Sequence, residues 1–202
     1  MKKIFLLLSL LPMLSCRPAK GYEVQDGDLI FQTSLSSQSE AIQKATHSQY
    51  SHMGVVFYRG KAPYVLEAVQ TVRFTPLQQW IRRGSGGHYL VKRLRNSGQR
   101  LSPEALEKLR SVSQRFLGRP YDLYFDWSDD RIYCSELAWK LYDEALSIPI
   151  GKLEKLGQLD LSDPALQKKL HERFGDRIPM DEKVISPASM LESEELITVS
   201  EQ

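Results

Sequence analysis

Cys134 opens the stretch Cys134-Ser135-Glu136-Leu137-Ala138, and with Leu137, Ala138, Leu141 and Ala145 it falls on one apolar stripe at helical spacing. A thiol in the first turn of such a helix faces unpaired N–H groups and the positive end of the helix dipole, both of which favour the thiolate. Residues three and four apart share a face, so the thiol points toward whatever that stripe packs against. A core cysteine would point the same way. The decision between nucleophile and core residue therefore rests on the partners within its reach.

His52 is the first candidate partner. In Tyr50-Ser51-His52-Met53-Gly54-Val55-Val56-Phe57 the alternation of a strand sets His52, Gly54 and Val56 on one face and Met53, Val55 and Phe57 on the other. Glu67 is the second. It shares a strand face with Val65 and Val69, and a carboxylate among apolar neighbours needs a partner to offset its desolvation. If the two strands form a hairpin in which Phe57 pairs with Tyr64, Gly54 stands opposite Glu67 and His52 opposite Val69. His52 and Glu67 are then diagonal neighbours on one face, and a slip of one residue would part them. Nucleophile, base and a carboxylate that orients the base make up the logic of a thiol–imidazole hydrolase.

Other chemistries fit less well. His47, His52 and Glu67 as metal ligands lack an HExxH pattern and a second cysteine to complete a familiar zinc set, so the site is assigned no metal and no cofactor. Tyr121, Tyr124, Phe125 and Trp127 form an aromatic loop that serves either as core or as a stacking surface. With 27 basic and 25 acidic side chains the formal charge is +2, which lacks the electrostatic footprint of a nucleic-acid binder.

The elements that must position these groups can be read in order. Asp28 to Phe31 is a strand after the Asp26-Gly27 turn. A helix follows, with a capping box at Ser37 and Glu40, ending near His47. Strands are expected over 53–58, 64–69 and 89–94, with a helical turn between the last two capped by Thr75 with Pro76 at its first position. Ser102-Pro103-Glu104 starts a further helix that Gly118 ends, and the Cys134 helix comes after the aromatic loop. Beyond about residue 150 the chain is rich in Pro, Lys and Asp, has one helical stretch near 164–174, and reads as a packed extension of the same domain. The expectation is an α+β protein in which a small antiparallel sheet packs against helices.

The first residues form a separate object. Lys2 and Lys3 precede the apolar run Ile4–Leu11 and a stretch of small or apolar residues before Cys16, the pattern of a secretory signal. Residues 1–15 are read as a signal peptide and 16–202 as one domain. Met13-Leu14-Ser15-Cys16 is similar to a bacterial lipobox, with Met13 where leucine is usual, so Cys16 is expected to be lipidated and the protein to sit on the periplasmic side of the cell envelope, held to the membrane by that lipid alone. An exported chain would then carry Cys134 as a lone thiol.

At this point five segments, GDLIF (27–31), YSHMGVVF (50–57), YVLEA (64–68), LGRPYD (117–122) and YCSELAW (133–139), together resemble the motifs of the YiiX-like group. That group is a circularly permuted branch of the NlpC-like, papain-fold superfamily of cysteine peptidases and amidases. The resemblance implies a permuted papain-like fold, with a small sheet or barrel against helices, in which His52 and Glu67 precede the nucleophile in the chain. It implies Cys134 as nucleophile, His52 as base, Glu67 as the residue orienting the ring, and Tyr121 lining the oxyanion site. Unpermuted members carry Asp-Cys-Ser-Gly where this chain has Tyr133-Cys134-Ser135-Glu136.

The same branch includes lecithin:retinol-acyltransferase-like proteins. The reading is accordingly an exported hydrolase of amide bonds in peptides or peptidoglycan fragments. A lipid acyl-transferase or lipid amidase comes second, and a non-enzymatic ligand-binding envelope lipoprotein third. Ser51, Ser135, Asp129, Asp130 and Arg131, polar and close to His52 or Cys134 in the chain, favour the peptide substrate, with Ser51 taken as a substrate contact, whereas Tyr124, Phe125 and Trp127 could line an apolar slot for a lipid amide.

Overall fold

The structure is a computed structural model and describes residues 24–202. The leader over 1–15 and Cys16 lie outside the described residues. In chain order the elements are β1 (Leu29–Gln32), α1 (Ser39–Thr46), β2 (His52–Arg59), β3 (Ala62–Ala68), β4 (Val72–Pro76), α2 (Leu77–Arg83), β5 (Leu90–Leu94), α3 (Ser97–Arg100) and α4 (Pro103–Phe116). There follow α5 (Cys134–Leu146), β6 (Glu154–Lys155), α6 (Pro164–Phe174), β7 (Lys183–Val184), α7 (Pro187–Leu191) and β8 (Leu196–Glu201). Six strands form one antiparallel sheet in the order β4-β3-β2-β1-β5-β8. The arrangement is α+β, as expected.

Period-two alternation decides what each face of the sheet carries. Phe31, Met53, Val55, Phe57 and Leu66 pack with Leu109 and Phe116 of α4 and Leu137, Ala138 and Leu141 of α5 in the main core. Ile30, Val56 and Val65 face the other way, onto Leu77, Trp80 and Ile81 of α2. Asp28, fully buried at the start of the central strand, is matched by the fork of Arg93 at 2.7 and 2.8 Å, which is how a charge survives at that depth.

The β2–β3 hairpin has the expected register. Phe57 pairs with Tyr64 and Val55 with Leu66. Gly54 is required there, because a Cβ on it would stand 2.4 Å from Val65 Cγ1 and 2.5 Å from the Leu66 carbonyl oxygen. The glycine lets β3 approach closely enough to carry Glu67 alongside His52.

Three sequence expectations are corrected. Thr75 does not cap a helix. It lies in β4, a strand the sequence reading omitted, and its hydroxyl donates to Glu67 at 2.6 Å, a stronger claim on it than a helix end because the acceptor is a buried carboxylate. The Ser37–Glu40 capping box is not formed either. The helix starts at Ser39, whose hydroxyl shares a 2.6 Å bond with Ser51, while Glu40 pairs with Lys44 at 2.9 Å. Finally, β8 pairs with β5 and extends the sheet, so the last residues belong to its edge.

Candidate active site

Cys134 is the first residue of α5, whose apolar stripe packs on β2 and so aims the thiol at the start of that strand. His52 is the first residue of β2. Its Nε2 lies 2.8 Å from Glu67 Oε2, and Trp80 stacks on the ring with centroids 6.0 Å apart. The ring is thus held in plane by an aromatic neighbour and at its edge by a carboxylate, which leaves Nδ1 for the thiol. Cys134 and His52 are near enough for each to shift the other's pKa.

Glu67 is wholly buried and takes three further polarities into account: Thr75 Oγ1 donates to Oε1, the Arg83 guanidinium to Oε2 beside the imidazole, and Arg73 Nε lies 4.0 Å from Oε1. Burial pushes the Glu67 carboxyl up, but His52, Arg83 and Thr75 outweigh it and hold the group down at about 2. For His52 burial acts downward, and the thiolate and Glu67 reverse it, raising the imidazole to about 9. For Cys134 burial acts upward, and the His52 hydrogen bond and charge, with the backbone of Met53 and Ser135, bring the thiol below its ordinary value. Both shifts run toward thiolate and imidazolium, the charge state that a thiol nucleophile and its acid would need.

Behind the nucleophile, Glu136 replaces the small residue of the unpermuted motif. It is buried, accepts from the Tyr133 N–H at 3.3 Å and pairs with Lys140 at 2.9 Å, and Lys140 in turn reaches Asp129 and the Ser128 carbonyl at 2.7 Å each. Tyr133 accepts at its hydroxyl from the Ile185 N–H at 3.0 Å. These bonds tie the loop before α5 and the segment at 185 to the first turn that carries the thiol.

Cys134 also lines a cavity, and Glu67 does not. Tyr121 is on its wall, and so are Phe125 and Ser135. Most of the lining is aliphatic and comes from elsewhere: Ile42 and Ala45 of α1, Leu159, Leu166 and Leu170 around α6, and Ile185. Sequence reasoning missed these residues because the segment after 150 carried no motif and its leucines read as packing. Arg83 and Trp80 gave no signal at all, since which side chain meets Glu67 or His52 depends on how α2 folds back over the sheet.

The polar residues expected near the thiol are mostly elsewhere. Ser51 is corrected: it is buried with its hydroxyl spent on Ser39 and on the Ser34 N–H at 2.9 Å, and it is not on the cavity wall. Asp129 is engaged with Lys140, and Asp130 and Arg131 are exposed and away from the lining. Tyr124 and Trp127 also stay off the wall, Trp127 stacking on Trp139 at 5.3 Å. His47 is paired with Asp160 at 3.0 Å, apart from His52 and Glu67.

The whole chain is 48% identical over 202 residues to YiiX of Escherichia coli (strain K12), described as uncharacterized, and the match takes in 97% of that protein. It is also similar to the crystal structure of the metalloprotein YiiX from Escherichia coli O157:H7, with a TM-score of 0.85 and 50% identity over 90% of this chain and 99% of that one. Among the described residues of this chain no group of three or more His, Cys, Asp or Glu side chains is placed to hold a metal ion. Residues 23–200 match the permuted papain-like amidase enzyme family, YaeF/YiiX, C92. A histidine and carboxylate that come before their cysteine in the chain and meet it in space are what such a permutation requires, and the chain belongs to this family of permuted papain-like amidases.

Proposed function

We propose that this protein is a thiol amidase that uses Cys134 as nucleophile, His52 as acid and base and Glu67 as the orienting carboxylate, and that its substrate is an amide carrying a long apolar group, a lipid amide before a peptide or peptidoglycan fragment. One observation carries the proposal. The thiol whose pKa His52 lowers also lines the cavity, and that cavity is walled by leucine, isoleucine and aromatic side chains. A peptide backbone bound there would leave its N–H and C=O groups without partners, whereas an alkyl chain loses nothing and gains burial.

The reaction follows from the charges. The thiolate adds to the amide carbon, and the electron pair moves to the carbonyl oxygen, which faces the N-terminal end of α5 and the Tyr121 side of the cavity. The imidazolium passes its proton to the nitrogen as the C–N bond breaks, the amine departs, and a thioester remains on Cys134. The neutral His52 then takes a proton from water, the hydroxide displaces sulfur through a second tetrahedral species, and acid and thiolate are released. Export under the 1–15 leader and acylation of Cys16 on the periplasmic side form part of the same proposal, resting on the charged, apolar and lipobox-like order of residues 2–16.

The test is to incubate the purified protein with N-dodecanoyl amides, a muropeptide and a phospholipid, with Cys134→Ala as control. Cys134-dependent release of dodecanoate and free amine is the expected result. Cleavage of the muropeptide alone would move the substrate to the cell wall, acyl transfer to an added amine or alcohol with no free acid would make the enzyme a transferase, and no Cys134-dependent product from any of them would remove the amidase reading.

A further inference from the structure

The lining of the apolar cavity includes two cationic side chains, Lys169 and Arg173, beside the Cys134 thiol. Leu166, Lys169, Leu170 and Arg173 recur at spacings of three and four on α6 and all reach its wall, and no aspartate or glutamate is among the lining residues. Lys169 is engaged at the mouth, donating to the Ser37 carbonyl. Arg173 is not engaged in that way. Every other half-buried arginine among the described residues meets a carboxylate: Arg83 with Glu67, Arg93 with Asp28, Arg100 with Glu195 and Arg110 with Asp26. Arg173 has neither ion pair nor hydrogen-bonded acceptor there. Its guanidinium lies over the Phe125 ring, 5.6 Å from the centroid, and Asp122, the acid that acts on it, makes no ion pair with it.

A guanidinium taken partly out of water without an acceptor is unfavourable by itself, and burial pulls its pKa down. It becomes favourable when a ligand supplies the anion, in the fork geometry that arginine offers to carboxylate and phosphate. Its place also limits where that anion sits in the cavity. Phe125, under the guanidinium, stacks edge to face on Tyr133 at 5.1 Å between centroids, and Tyr133 immediately precedes the nucleophile. The guanidinium therefore shares the cavity with the thiol, on the stretch of wall that Phe125 and Tyr133 form.

We propose that Arg173 is the specificity-determining anchor for an anionic group, carboxylate or phosphate, on the substrate that enters this cavity, so that the substrate is an anionic amphiphile such as an N-acylated amino acid or an N-acylated phosphoamine. This inference rests on the apolar cavity of the amidase reading but is tested without turnover. In the Cys134→Ala protein, binding of N-dodecanoyl-glycine, N-dodecanoyl-phosphoethanolamine and the neutral N-dodecanoyl-glycinamide is measured by calorimetry, with and without Arg173→Gln and Arg173→Lys.

The anionic probes are expected to bind about tenfold or more tightly than the neutral one, which is what charge-assisted bonds in a sheltered site supply. Arg173→Gln brings the ratio close to one while leaving affinity for the neutral probe unchanged, and Arg173→Lys restores part of it. Whichever anionic probe binds more tightly identifies the group. Equal binding of charged and neutral probes, a preference that survives Arg173→Gln, or no binding of any chain overturns the proposal. Charge-selective binding together with no turnover by the parent protein would instead retain the anchor and remove the amidase.

Discussion

The two sides of Cys134 are built on opposite principles. Toward β2 and β3 the carboxylate is fully engaged: His52 meets Glu67 at 2.8 Å, and Glu67 also receives Thr75 and Arg83. Toward α1 and α6 the walls are aliphatic and polar partners are few. The first side fixes an orientation to within a hydrogen bond, because a buried carboxylate with several donors has one comfortable arrangement. The second fixes little beyond shape and polarity, since burial of apolar surface is not directional. In the proposed function, chemistry belongs to the rigid side and selection to the other.

Breaking the polar side should have the largest effects. Cys134→Ala is expected to lose turnover by at least about 10⁴-fold with the fold unchanged, and His52→Gln to lose about 10³-fold, since nucleophile and base act as one unit. Amide release with a circular-dichroism control checks both, and a fully active His52→Gln would contradict the assignment. Glu67→Gln comes next, at about 10²-fold, through loss of ring orientation and imidazolium stabilisation. The same variant also reads out stability. A carboxyl held at about 2 stabilises the fold fully above its ordinary 4.5 and loses that contribution as pH falls toward 2. An imidazole raised to about 9 contributes below its ordinary 6.5 and loses it as pH rises through 9. Melting temperature against pH should therefore fall at both ends for the parent and lose most of its acid limb in Glu67→Gln.

Changes on the apolar side should be smaller and chain-dependent. Ala41→Phe, which adds bulk at the cavity wall, is expected to raise KM for a dodecanoyl amide by about tenfold while leaving a short-chain amide and thiol alkylation alone. A loss equal for both chain lengths would mean that the chain does not lie there. The smallest effect is expected for Thr75→Val, one of several bonds to Glu67, at about 1–2 kcal/mol of stability and only a few-fold in rate.

The same division explains what the sequence made legible. His52, Glu67 and Cys134 sit on elements whose periodicity is local, and a single assumed pair, Phe57 with Tyr64, was enough to set two of them side by side. Tyr121, which the family resemblance put at the oxyanion site, lies on the cavity wall. Thr75 was misread because Thr-Pro ahead of Leu77 looks like a helix start when β4 is short and edge-placed. Ser51 was misread because nearness in sequence to His52 is a poor guide once strand faces alternate. The cavity walls were out of reach altogether. Ile42 lies more than a hundred residues from Leu166 and Ile185, and no local pattern says that they will meet beside a thiol.

The central claim is that Cys134 and His52 share one charge-separated pair. It is tested most directly by the rate of iodoacetamide alkylation of Cys134 against pH, read on the Cys134 peptide by mass spectrometry, in the parent and in His52→Gln. The account predicts a parent midpoint below the free-thiol value of about 8.5 and a shift upward on losing His52, because burial then acts on the thiol without its counter-ion. A parent midpoint at or above about 8.5, or one that His52→Gln leaves in place, would contradict it.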